Sequence, residues 1–116
     1  MRHMKSIKHF NRTRSHYKLM FRNMCNSLIK YEKIKTTLNK AKELKKIIEP
    51  IINLSKIDNF NNRKLAFSLL RSKFSLFKLF DNLRKKFINR NGGYTRIIKY
   101  KYRSGDNALI AIIEFV

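Results

Sequence analysis

The chain has 116 residues, enough for one domain and too few for a second substantial core, so two-domain enzymes are excluded. Its 28 Lys and Arg face 7 Asp and Glu, a formal net charge of +21, and self-repulsion on that scale calls for a polyanionic partner, nucleic acid first. A hydrophobic fraction of 43% with 12% aromatics excludes a disordered basic tail and points to a folded core.

Residues 1–12 read as a basic arm, with Arg2, Lys5, Lys8 and Arg12 among small apolar anchors, and residues 13–116 as one domain. From Tyr17 the apolar positions Tyr17, Met20, Phe21, Met24, Leu28 and Tyr31 recur at helical spacing, with Thr13 or Ser15 available as N-cap. Lys18, Arg22, Asn26 and Lys30 step by four along another stripe of that helix, so one face can pack while its neighbour meets phosphate. Between Tyr31 and Leu38 the period changes to alternation, and Thr36 and Thr37 disfavour helix, which predicts a short strand. Asn39 is placed to cap a second helix with Ala41, Leu44, Ile47, Ile48, Ile51 and Ile52 on its apolar face, kinked or stopped near Pro50. A shorter helix follows over Arg63 to Arg71, and Ser72 can cap a fourth that buries Leu76, Leu79, Phe80, Leu83 and Phe87.

Asn91, Gly92 and Gly93 mark a chain reversal. Alternation through Ile98, Tyr100 and Tyr102, the turn Ser104 to Asn107, and the apolar segment Ala108 to Val116 then form a hairpin. The last segment is apolar on both faces except for Glu114, which suits the central strand of a small sheet. The fold class expected is therefore α+β: a two-layer domain ordered helix, strand, three helices, two strands, with a three-stranded sheet packed against helices.

Little here suits catalysis. The carboxylates Glu32, Glu43, Glu49, Asp58, Asp81, Asp106 and Glu114 are scattered singly, which argues against a nuclease and favours ion pairs with the surplus lysines. Cys25 falls on the packing side of the first helix, excludes an internal disulfide, and behaves there as a small apolar group. His3, His9 and His16 sit among cations, where a metal is electrostatically opposed, and better suit phosphate or base contacts. No metal, cofactor or small-molecule substrate is expected. The longest apolar run, Ala108 to Ile113, has six residues, against roughly 20 for a membrane-spanning helix. The first 31 residues hold eight Lys or Arg and no acid, as a transit peptide would, but the amphipathic pattern of the first helix runs straight through any cleavage zone.

Tyr94, Tyr100 and Tyr102, interleaved with Arg96, Lys99 and Lys101, have two readings: a stacking platform for unpaired bases, or the sheet's half of the core. The core reading carries more weight, because four helices need a surface to cover. Positive stripes on several elements suit a protein embedded in folded RNA; a small DNA-architectural protein, docking one face on a duplex, is the alternative.

The chain resembles the family of protein seventeen of the bacterial large ribosomal subunit. The likeness runs from MRH at the start through NRT (Asn11 to Thr13), MFRNM (Met20 to Met24), IKTT (Ile34 to Thr37) and KAKEL (Lys40 to Leu44). It continues through NRKLAF (Asn62 to Phe67), GGYTRI (Gly92 to Ile97) and GDNA (Gly105 to Ala108). The resemblance implies a non-enzymatic constituent of the cytoplasmic ribosome that binds large-subunit ribosomal RNA near the solvent side of the peptide exit, beside other ribosomal proteins. Arg2, His3, Arg12, His16, Lys18, Arg22 and Asn23 match the family's basic amino-terminal pattern, and Tyr94, Thr95 and Arg96 its glycine-turn motif. With Lys5, Lys8 and Arg14 from the same basic region, these are the candidate RNA-binding residues. Met4, Tyr17 and Lys86 stand where the family pattern has Arg, and Asn39 where it has a helix-starting Pro. Each lost Arg removes a planar fork for phosphate.

Overall fold

The structure is a computed structural model in which residues 9–116 are described. Helix α1 (Arg14–Tyr31) starts where the Thr13 hydroxyl accepts the His16 N–H at 3.3 Å. It ends at Glu32, whose left-handed backbone (φ 65°) turns its N–H onto the Leu28 carbonyl. Phe21, Cys25, Leu28 and Ile29 are buried, with Tyr17, Met20 and Met24 packed beside them. Tyr31, expected on the same stripe, is exposed, because the last turn has passed the edge of the core.

Strand β1 (Lys33–Thr37) leads directly into α2 (Leu38–Ser55). Asn39 was expected to cap this helix, but Thr37 holds the cap position, and its extended backbone (φ −68°, ψ 151°) is supplied by the strand itself. The helix runs through Pro50 to Ser55. Pro50 and Lys46 both lie on the exposed side, so the carbonyl that Pro50 leaves without an amide partner falls where water can reach it. Helix α3 (Phe60–Leu70) begins a turn earlier than expected, with Asn59 accepting the Asn62 N–H at 2.8 Å. Ser72 caps α4 (Lys73–Lys78), as its position predicts. Without a break α4 passes into a π-helical turn (Leu79–Leu83) and a final α-helical turn, α5 (Arg84–Phe87). The fourth helix of the sequence reading is these three pieces, and its Leu79, Phe80, Leu83 and Phe87 are buried as expected.

Gly92 (φ 103°) and Gly93 (φ 60°) reverse the chain; a Cβ at either would meet no neighbour, so backbone conformation rather than space requires glycine. Strands β2 (Thr95–Tyr102) and β3 (Leu109–Phe115) follow. All pairing is antiparallel in the order β1-β3-β2, with Lys33 opposite Glu114, Thr37 opposite Ile110 and Thr95 opposite Phe115. The apolar last strand is indeed central. Its Ala111, Ile113 and Phe115 are buried on the face that α2 crosses, while Ile110 and Ile112 are only half-buried on the opposite face. Both outer strands carry lysines, Lys33 and Lys35 on β1, Lys99 and Lys101 on β2.

The α+β class and the order of elements thus match the sequence expectation. Leu83 is 1% exposed at the centre of the helical layer, and Leu83→Ala is expected to cost about 2–5 kcal/mol through lost burial and a residual cavity. Urea unfolding checks this; a loss below about 1 kcal/mol would contradict the packing described.

Candidate nucleic-acid interface

Seven carboxylates serve a chain of charge +21, and the fold uses each of them internally. Glu43 pairs with Lys46 at 3.2 Å, Asp58 with Arg63 at 2.6 Å, and Asp81 with the same Arg63 at 3.9 Å. Glu32 lies 3.8 Å from Lys78, Glu114 3.3 Å from Arg96, and Asp106 2.5 Å from Arg103. Glu49 accepts the Thr95 hydroxyl at 3.0 Å. The Arg63 guanidinium holds Asp58 below the usual carboxylate range, and Arg103, helped by the Ala108 N–H, brings Asp106 down to about 2. Burial pushes the Cys25 thiol up to about 12, so it stays protonated and apolar in character, as its place in the sequence suggested.

Several cations are turned onto backbone carbonyls at helix ends. The Arg22 Nε donates to the Leu69 carbonyl at 3.1 Å, and four residues on, the Asn26 amide donates to Leu70 at 2.9 Å; together they cap the C-terminus of α3. Lys78 donates to Lys30 at the end of α1 at 2.9 Å, and Arg84 to Lys56 just beyond α2 at 3.3 Å. Lys56 in turn bonds the Arg90 carbonyl, and Arg90 that of Gly93. Carbonyls at helix C-termini lack intrahelical partners and carry the negative end of the dipole, so cations there are doubly favoured.

This changes the reading of the candidate residues. Arg22 and Asn26, expected on a phosphate-facing stripe, bridge to α3, and Arg22 is half-buried in doing so. Tyr94, a candidate RNA contact, is 1% exposed, with its ring edge-on to Phe87 at 5.3 Å and its hydroxyl donating to Asn53. Thr95 is likewise buried, its N–H and hydroxyl both held by Glu49. Those two candidates are corrected to core residues, because strand alternation turns Thr95 to the covered face and the glycine turn delivers Tyr94 beneath α2. Arg96 emerges on the open face, paired with Glu114. Of the three tyrosines, only Tyr94 takes the core role; Tyr100 and Tyr102 are exposed.

Arg2, His3, Lys5 and Lys8 lie outside the described residues. Arg12, just before α1, and Arg14, His16, Lys18 and Asn23 on it are exposed, and no ion pair among the described residues engages Arg12, Arg14 or Lys18. The first turn of α1 contains no acid, so these cations add to the positive end of the helix dipole. The expected arm ends differently from a free tail: His9 to Arg12 form a turn in which Phe10 packs on Phe21 at 5.8 Å and His9 lies 5.8 Å from Tyr17. Tyr17 packs its ring, tilted, against Phe21 at 4.7 Å, and its phenol pKa is raised, chiefly by burial and then by the Glu43 carboxylate.

Cations on the open face of the sheet were absent from the candidate residues, except Arg96. Lys35 on β1 and Lys101 on β2 both reach the ring of Tyr100, at 4.4 and 5.5 Å. The alternation of Tyr100 with Lys101 is visible in the sequence, but Lys35 joins them only through the pairing register.

Among the described residues no helix is long and apolar enough to cross a membrane, and no three His, Cys, Asp or Glu gather as metal ligands.

Two outcomes follow. Arg22→Ala is expected to lower stability by about 1.5–3 kcal/mol, the range for a hydrogen bond involving a charged group, whereas Lys18→Ala should leave it within about 0.5 kcal/mol; equal melting curves for both variants would contradict the capping role. The Asp106 carboxyl has its folded pKa depressed from 3.8 to about 2, so its contribution is complete above the unfolded value near pH 4 and is lost as pH falls through about 2. Carboxyl-detected NMR should find that midpoint, and Arg103→Gln should return it toward 3.8.

Compared with known families, residues 20–116 match the one described as ribosomal protein L17. That match spans the domain from the middle of α1 to the last residue, and with it the chain belongs to the ribosomal protein L17 family, structural proteins of the large ribosomal subunit.

Proposed function

We propose that this protein is held in the large subunit by ribosomal RNA bound along its basic amino-terminal region and the first half of α1. Arg2, His3, Lys5, Lys8, Arg12, Arg14, His16, Lys18 and Asn23 are the contacts of this reading. The observation that carries it is the exposed run Arg12, Arg14, His16 and Lys18 on an acid-free helix start, in a chain whose carboxylates are committed elsewhere. Phosphates would lift the self-repulsion that these side chains otherwise impose. Arg and His at such positions also offer planar groups for phosphate and base edges.

The resemblance supports a position near the solvent side of the peptide exit, in ribosomes of the cytoplasm, with other ribosomal proteins alongside. Phe74 and Phe77, more than half exposed on α4, offer an apolar contact for such a protein neighbour.

The test is binding of the full chain to its large-subunit ribosomal RNA across a salt series, with sedimentation of tagged protein through a ribosome gradient. Affinity should fall steeply with salt, each phosphate contact adding roughly 0.7 to 0.9 to the log-log slope. Arg14→Ala with Lys18→Ala should flatten that slope by about two contacts while leaving the melting temperature unchanged. A wild-type slope near one, or protein that remains at the top of the gradient, would overturn the reading.

A further inference from the structure

The open face of the sheet is a second charged surface, separate from α1. Register places Lys33, Lys35 and Thr37 of β1 on the same side as Ile110, Ile112 and Glu114 of β3, with Arg96 and Ile98 of β2 completing the row. At one end Glu114 sits between Lys33 and Arg96 and offsets them. Toward the other end no carboxylate lies on the strands, and the cations accumulate.

A β-bulge shapes that end. Lys99 pairs with Ala111 and Lys101 with Ile110, so two steps along β2 match one along β3 and Tyr100 is the extra residue. Regular pairing would send Lys101 to the covered face; the bulge brings it round beside Tyr100. Lys35 reaches the same ring from β1, across the central strand, at 4.4 Å. The same Lys35 and Lys101 line a hollow of about 440 Å³, together with Lys40, Arg103, Thr37 and Ser104. Asp106 engages Arg103 from the turn, leaving three lysines without a carboxylate partner among the described residues.

We propose that this end of the open sheet face is a site for single-stranded RNA, in which an unpaired base stacks on Tyr100 and the adjoining phosphate enters the hollow among Lys35, Lys40 and Lys101. The proposal rests on the RNA-binding reading above and adds to it a surface and a strandedness. Tyr100 is 50% exposed although the neighbouring tyrosine of the same segment, Tyr94, is fully packed, so the ring is not required by the core. Ammonium groups over an exposed ring are held only weakly, so Lys35 and Lys101 can leave it for a phosphate when a base arrives. A duplex hides its base faces, whereas an unpaired nucleotide offers a π surface and a phosphate together.

The chain contains no tryptophan, so Tyr100→Trp introduces a single reporter. Titrating the full-length variant with a short single-stranded oligoadenylate should quench its fluorescence in step with binding. Tyr31→Trp, at the end of α1, should respond far less. Tyr100→Leu should weaken the single strand about tenfold, as loss of one stacked base implies, and leave a duplex of equal charge within twofold. Lys35→Gln with Lys101→Gln should weaken both and flatten the salt slope. No quenching at position 100, equal quenching at 31 and 100, or equal losses on single strand and duplex would overturn the proposal. If wild-type protein still sediments with large subunits while those results fail, only the sheet site falls; if it binds no RNA at all, the underlying reading falls with it.

Discussion

Cations seated on the carbonyl ends of helices hold this molecule together as a charged object. Arg22 and Asn26 close α3, Lys78 closes α1, and Arg84 closes α2. A chain with seven carboxylates cannot neutralise 28 basic side chains by ion pairing, but its helices end in unsatisfied carbonyls that need donors. Each contact lies between elements far apart in sequence, so it satisfies the helix end and fixes the packing of two helices at once. Beneath these contacts the apolar layer from Phe21 and Cys25 through Ile48 to Leu83 and Ile113 supplies the cohesion.

This division explains why the architecture was legible from residue patterns and the roles of individual cations were not. Helical spacing in α1, α2 and the fourth helix, the two glycines at the reversal, and the doubly apolar last strand are local signals, and each corresponds to an observed element. Thr13 and Ser72 cap as their position implies, because a hydroxyl before an apolar run has few other uses. Asn39 does not cap, because β1 runs straight into the helix and Thr37 already has the cap conformation.

Arg22 and Lys18 stand four apart on one helix and look alike in sequence. Only the approach of α3 separates a structural arginine from an exposed lysine. Tyr94 and Tyr100 pose the same difficulty: both are aromatic residues among basic neighbours, and the distinction comes from α2 covering one face of the sheet and leaving the other open. The candidate RNA residues divide accordingly, with Tyr94 and Thr95 absorbed into the core and Arg12, Arg14, His16 and Lys18 left outside.

The lysines on the two outer strands bear on the life of the protein before it meets its subunit. With β3 in the centre, β1 and β2 are both unpaired edges, and unprotected edges template the addition of further strands from other copies. Lys33, Lys35, Lys99 and Lys101 make each edge repel its twin, and the bulge at Tyr100 disturbs the straight ladder that a second chain would have to follow. Like charge along both edges therefore opposes the strand-to-strand pairing of one copy with another.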